Sequence, residues 1–184
     1  MKNGWLVNEI DRVTREVFTT MLGMDVAMGE AEVERDVPGP TDGVVALVGL
    51  TGAWVGIGSL ACSAATACRL SSRLLMTEIA AVNDEVLDAV AELANMIVGG
   101  FKTGAEQRFG PMGLSIPSVV YGHNFTTRTK GTSEWTRIPF RCEDGKFDVH
   151  ICLRPGDAPP KGDGQARVSR LQSVMARDAH PDFV

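Results

Sequence analysis

Positive charge is in short supply in this chain. Eighteen Lys and Arg stand against 23 Asp and Glu, for a net charge of -5, which argues against a nucleic-acid partner because such footprints are basic patches or stripes. Long apolar runs are lacking too. The longest suspect, Gly43 to Ala65, is broken by Gly, Thr and Ser, so no window approaches the roughly 18 apolar residues of a membrane span. The first residues, MKNGWLVNEIDRV, lack the apolar run and small-residue cleavage site of a signal peptide. Together these absences predict a cytoplasmic protein with no membrane insertion. Histidine is sparse, and His123, His150 and His180 are too scattered for a metal cluster. Cys62 and Cys68 sit in a small-residue helical segment, Cys142 and Cys152 in strand-like segments. Neither pair has the C-x2-C spacing of a zinc site. They read as buried reduced thiols, since cysteine behaves as a small hydrophobe.

What is present is enough apolar material, 44% of 184 residues, for one sizeable core. One domain plus a tail is the expected organisation. Ile10, Val13, Val17 and Met21 recur at helical spacing and predict a first helix over Asn8 to Leu22, capped by Asn8 and ended by Gly23. Met24 to Val37 alternates as a strand on a half-solvated sheet, and PGPTDG over 38–43 forms a turn. A hairpin follows, Val44 to Val48 and Trp54 to Leu60, turning at Leu50 to Gly52. Its glycines at 49, 52, 56 and 58 weaken the strands unless something packs closely on them. Ser63 caps a helix from Ser63 to Met76. Leu114 to Val120 is extended, with Pro117 restricting the residue before it. Tyr121 to Gly131 is either a loop or an edge strand. Glu134 to Cys142 and Phe147 to Leu153 alternate around an Asp-Gly turn and predict a closing hairpin. PGDAPPKGDG, residues 155–164, reads as a linker, and 165–184 as a tail carrying a short amphipathic pattern at Val168, Leu171 and Met175 that is a marginal helix on its own.

The most informative stretch is Asn83 to Lys102, NDEVLDAVAELANMIVGGFK. Val86, Val90, Leu93 and Ile97 recur at spacings of one helical turn and predict a core-facing side. At about 100° per residue, Asp88, Glu92, Asn95 and Gly99 fall on nearly the opposite side, within a band of roughly 60°. On spacing alone, the ordinary reading is a solvated helix face. Against it, the flanks are Ala91, Ala94 and Met96 rather than Lys and Arg. The pair Gly99-Gly100 predicts a kink or a second helix running to Phe109. Helix, strand and hairpin followed by helix, motif helix, extended segment and hairpin suggest two similar halves, with Arg12, Glu16 and Thr19 in register with Asp88, Glu92 and Asn95.

The pattern Asp88-x3-Glu92-x2-Asn95, followed by Gly99-Gly100 and by Pro117 in LSIPSVV, resembles the signature of the CheC, CheX and FliY phosphatases of bacterial chemotaxis. The resemblance covers roughly Val7 to Leu153 and includes the glycine-rich hairpin GVVALVGLTGAWVGIGSL. With Thr19 where the first helix of a two-motif protein has asparagine, the chain is most similar to the CheX-like members. The resemblance implies an α/β fold of the CheC/CheX type, an antiparallel or mixed central sheet with two long helices packed on it and pseudo-repeated halves, over residues 1–154. It implies a phosphatase acting on the aspartyl phosphate of a CheY-like response regulator. Asn95 then orients the attacking water and Glu92 meets the regulator's active-site lysine. Asp88, Gly99, Gly100 and Pro117 support the motif or its interface. No cofactor of its own is implied, Mg2+ being expected on the regulator, and a homodimer joined through sheet edges is. The alternative is a non-catalytic adaptor that binds receiver domains in a chemotaxis or motility complex.

Overall fold

The computed structural model describes residues 3–34, 41–125 and 134–156. The first helix, α1, spans Asn3–Val17 and closes in one π-helical turn, Phe18–Leu22. Gly23 ends it with φ +62, its N–H bonding to the Phe18 carbonyl, a left-handed conformation that suits glycine. The helix therefore starts five residues before Asn8. Tertiary contacts account for the extension: the Trp5 ring lies 5.8 Å from Phe101 and 5.5 Å from Phe109, with the Arg108 guanidinium 4.9 Å above it.

The strand expected over Met24 to Val37 is two short pieces, β1 (Ala27–Met28) and β2 (Glu32–Glu34). Next come β3 (Thr41–Gly52), β4 (Trp54–Cys62), α2 (Ala64–Leu75) and α3 (Asp84–Phe109). The chain continues through β5 (Met112–Leu114), β6 (Ser118–Phe125), β7 (Trp135–Cys142) and β8 (Gly145–Pro155). Ser63 caps α2 as expected, accepting from the Thr66 N–H. The β3–β4 strands are longer than predicted and turn around Ala53 rather than at Leu50 to Gly52, because Leu50, Thr51 and Gly52 are held in the sheet by β5. Cys62 ends β4 rather than joining a helix. No kink breaks α3 at Gly99-Gly100; it is one helix of 26 residues. The tail with its amphipathic pattern, most of the predicted linker and residues 126–131 of the polar segment lie outside the described residues.

All strand pairs are antiparallel, in the order β1-β7-β8-β4-β3-β5, with β2 also on β7 and β6 also on β3. That order is symmetric about the central β4–β8 pair. Leaving α2 aside, each half reads helix, two strands, long hairpin, and the first two strands of each half pair with the hairpin of the other. The predicted two similar halves are thus cross-paired rather than side by side, and β6 offers its outer side as a sheet edge.

The helices cover one face of the sheet. Val44, Ala46, Val48 and Leu50 of β3, Leu60 of β4, Ile138 and Phe140 of β7, and Phe147, Val149 and Ile151 of β8 meet Ile10, Phe18, Leu70, Val90, Leu93, Ile97 and Phe101 in one core. Phe147 stacks between Phe18 (4.6 Å) and Phe140 (5.3 Å). Strand alternation places Val45, Ser59, Trp135, His150 and Cys152 on the other face, and each is buried. The cysteines are free thiols, and burial pushes that of Cys62 up to about 12, so it stays protonated and inert. No described helix is long and apolar enough to cross a membrane.

His150, 6% exposed, sits beside Ser59 with Nδ1 3.5 Å from Oγ. Burial holds its pKa below 6.5; Arg137 adds to that lowering and Asp148 opposes it. A depressed folded pKa means that the unfolded chain binds more protons just below pH 6.5, so stability contributed by neutral His150 is present above that pH and is lost as pH falls through the folded value. We expect the melting temperature to drop between about pH 7 and pH 5, and His150→Leu to flatten that stretch of the curve. A thermal melt series across this range checks it, and an unchanged slope in the variant assigns the dependence to other groups.

Candidate functional site

Three devices fix α3. At its start the Asn83 side chain accepts from the Val86 N–H at 3.0 Å, with Asp84 and Glu85 in the first turn complementing the helix dipole. Along its middle, Val86, Val90, Leu93, Ala94, Ile97, Val98 and Phe101 are buried. At its far end, Trp54 packs on Phe109 at 4.5 Å, and the Glu106 carboxylate accepts from the Met112 N–H at 2.9 Å while pairing with Lys102. The Met112 N–H first, and Lys102 second, hold the Glu106 carboxyl below its usual range. The helix is therefore tied to the strand that follows it.

The outward side of this fixed helix carries the predicted stripe. Asp88 and Glu92 are exposed, and Asn95, Met96 and Gly99 are half-buried. Among the described residues, the side chains of Asp88, Glu92 and Asn95 make no hydrogen bond or ion pair, so their capacity is left for a partner. Gly99 and Gly100 have separate jobs. A Cβ on Gly100 would sit 2.5 Å from Val13 Cγ1 of α1, whereas one on Gly99 would meet only Leu114 Cδ1 at 3.5 Å. Gly100 thus lets the two long helices approach, and Gly99 belongs to the outward stripe, next to β5.

Pro117 lies in the link between β5 and β6. Leu114 pairs with Leu50 and Ser118 with Leu47, while the Ser115 N–H donates to the Gly49 carbonyl at 2.9 Å. Ile116 and Pro117 together oppose only Val48, so the link is a β-bulge, a place where proline's missing N–H breaks no ladder bond. The sequence predicts a plain extended segment here, and the structure shows a bulge with Ile116 in it. The signal available was an isoleucine set between Ser115 and a proline.

On its other side the stripe borders α1. A shallow groove of about 450 Å3 is lined by Arg12, Glu16, Met21, Met96, Gly100 and Thr103, among others. Here Arg12 is bonded to Glu9 and, at 2.9 Å, to Glu16. The acid of α1 is thus paired internally, unlike Glu92. No group of three or more His, Cys, Asp or Glu is placed to hold a metal ion among the described residues.

Residues 44–141 match the family described as chemotaxis phosphatase CheX. The chain belongs to this family. Solved structures agree in fold and in extent. A CheC-like superfamily protein from Shewanella sp. PV-4 is 25% identical with a TM-score of 0.73, covering 83% of this chain and 99% of that one. A chemotaxis protein CheX from Desulfovibrio desulfuricans is 27% identical, also at 0.73, covering 82% and 99%. The CheX of a CheX-CheY-BeF3-Mg2+ complex from Borrelia burgdorferi is 28% identical at 0.68, covering 81% and 97%. A 109-residue stretch is also 33% identical to part of a UDP-N-acetylmuramoylalanine--D-glutamate ligase of Bordetella avium. That match takes in 57% of this chain and 18% of the enzyme, so the chain spans less than a fifth of that relative's length.

The CheX assignment makes the glycine pair testable by stability. Alanine gains about 1 kcal/mol of helix propensity over glycine, and at Gly99 nothing opposes that gain, so Gly99→Ala should be neutral or stabilising. At Gly100 the stiff Val13 side chain must move, and overpacking of this kind costs about 1–3 kcal/mol. Gly100→Ala should therefore be the less stable of the two by urea denaturation, and equal stabilities would show that α1 yields freely.

Proposed function

We propose that this protein is a cytoplasmic phosphatase that hydrolyses the aspartyl phosphate of a CheY-like receiver domain, with the exposed stripe of α3 inserted at the receiver's phosphorylation site. The observation that carries the reading is that a CheX-family chain holds an acid and an amide, Glu92 and Asn95, on the outward side of a rigid helix, with no partner for either side chain among the described residues. The relative solved with CheY carries BeF3 and Mg2+, a stand-in for a phosphoryl group and its counterion, and so supports a phosphorylated receiver as the partner.

The chemistry asks little of this chain beyond position. Water attacks phosphorus, the bond between phosphorus and the aspartyl oxygen breaks, and the products are inorganic phosphate and a free carboxylate. The leaving carboxylate is already a good one and the transition state is loose, so alignment of the water contributes more than a strong base. The Asn95 carboxamide can accept a hydrogen bond from the water with its oxygen and donate one to the water's oxygen with its nitrogen, which fixes the water in line. Glu92, one turn earlier, forms a charge-assisted contact with the receiver's lysine and sets the docking register. Asp88 lies one further turn away, at the rim of the contact. Gly99 keeps the surface next to Asn95 low enough for close approach. A divalent ion held by the receiver would offset the charge developing on the phosphoryl oxygens.

The test is the decay of acyl phosphate on magnesium-loaded, phosphorylated receivers. Asn95→Ala should keep binding and lose about 100-fold in kcat, the scale of a misplaced reactant. Glu92→Ala should weaken binding about ten- to a hundred-fold, as expected for a lost charge-assisted bond, and lower the rate as well. If wild type and both variants leave the decay unchanged across several CheY-like receivers, the phosphatase reading falls. Tight receiver binding by wild type and Asn95→Ala, with no turnover by either, would make the protein an adaptor.

A further inference from the structure

We infer that Ile116 is an apolar docking knob for the phosphorylated receiver, held out beside the Asn95 stripe by the bulge between β5 and β6. This deepens the phosphatase reading and rests on it.

Ile116 is 87% exposed, so the fold draws almost nothing from its side chain. A lone exposed aliphatic residue is unremarkable, but this one is presented on a fixed support. Ser115 on one side uses its N–H on the Gly49 carbonyl (2.9 Å), and its Oγ accepts from the Gly49 N–H (2.8 Å) and donates to the Ile116 carbonyl (2.9 Å). Pro117 on the other side has a fixed φ and confines Ile116 to extended backbone. Because residues 116 and 117 oppose the single residue Val48, the strand must swell here, and bulges are a means by which a sheet re-aims a side chain. The entropy of ordering this segment is met in the free protein, which favours binding through it.

Position identifies the occupant. Leu114, 37% exposed, lies against Gly99, and Gly99 is one helical turn from Asn95. Gly99 thus links the stripe of Glu92 and Asn95 to Leu114, two residues before Ile116 in the bulge. A receiver whose phosphoryl group reaches Asn95 and whose lysine reaches Glu92 must also lie over this apolar shoulder. An apolar recess beside its phosphorylation site would take Ile116 fully out of water, and a side chain desolvated in a pocket is one that contributes strongly to affinity.

The experiment compares Ile116→Ser, Ile116→Leu and Asn95→Ala in the full-length chain, with acyl-phosphate decay measured against receiver concentration and melting temperature recorded for each. Ile116→Ser should raise KM about tenfold, the size of a moderate interface anchor, with the loss falling on KM rather than kcat. Ile116→Leu should restore most of it, and all three should melt with the wild type. If Ile116→Ser keeps wild-type KM while Asn95→Ala loses its rate, the docking role is overturned and the phosphatase reading stands. A lowered melting temperature in Ile116→Ser makes the residue structural and overturns the inference too. Should Asn95→Ala match an inactive wild type, both readings fall together.

Discussion

A methyl group at Gly58 would sit 2.5 Å from Val98 Cγ2, and one at Gly100 equally close to Val13 Cγ1. These two contacts set how deeply α3 lies, on one side against the sheet and on the other against α1. Everything proposed for the site depends on that seating. A helix packed this closely on two neighbours cannot roll, so the side it turns outward is fixed by the side it buries. Gly104 extends the same contact by one turn, since a side chain there would run into Glu9 of α1. The glycines are thus spent on closeness, and rigidity follows from it rather than flexibility.

The sheet supports this by its symmetry. With β4 and β8 paired over nine residues at the centre and the first two strands of each half crossing to the other half's hairpin, neither half can come away alone. Both crossings carry a bulge. On β7, residues 29–31 fill the space opposite Pro139 and Ile138, between the pairs Met28↔Phe140 and Glu32↔Arg137. On β3, residues 116 and 117 oppose Val48. The first bulge leaves Gly29 bonded to the Pro139 carbonyl at 2.7 Å. The second lies next to α3 and lifts Ile116 out of the sheet. Similar irregularities in similar places therefore have unlike uses, because only one of them borders the helix that carries the acid and the amide.

The sequence made the stripe and the core side of α3 legible because both follow from a single period of 3.6 residues. The two hairpins and the cap at Ser63 were legible for the same reason, as local chemistry. What escaped was set by contacts between distant residues. The first helix begins at Asn3 because Trp5 finds Phe101 and Phe109, nearly 100 positions away. Gly99-Gly100 read as a weak point because glycine lowers helix propensity, yet the packing on Val13 outweighs that penalty and the helix runs through. Ile116 went unseen because a bulge is a property of two strands in register, and a single strand's alternation does not reveal it. The family resemblance pointed to Pro117, and only the pairing with β3 shows that proline occupies a position where no ladder bond is needed.

The unequal fates of α1 and α3 follow from one ion pair. In the register read from the sequence, Arg12 of α1 corresponds to Asp88 of α3 and Glu16 to Glu92, and the Arg12 guanidinium reaches Glu16. A further bond to Glu9 anchors the arginine. An incoming lysine would have to displace a cation already in place, and exposed pairs of this kind, weak as they are individually, remove the unsatisfied charge that the proposed docking needs. The next counterpart, Thr19 for Asn95, falls in the π-helical turn, where the extra residue per turn shifts side chains off the line they would follow in an α-helix. Glu92 and Asn95 stand on an unbroken α-helix with Asp88 rather than a base one turn before them. The same architecture therefore produces a helix whose acid is paired and one whose acid and amide, among the described residues, are not.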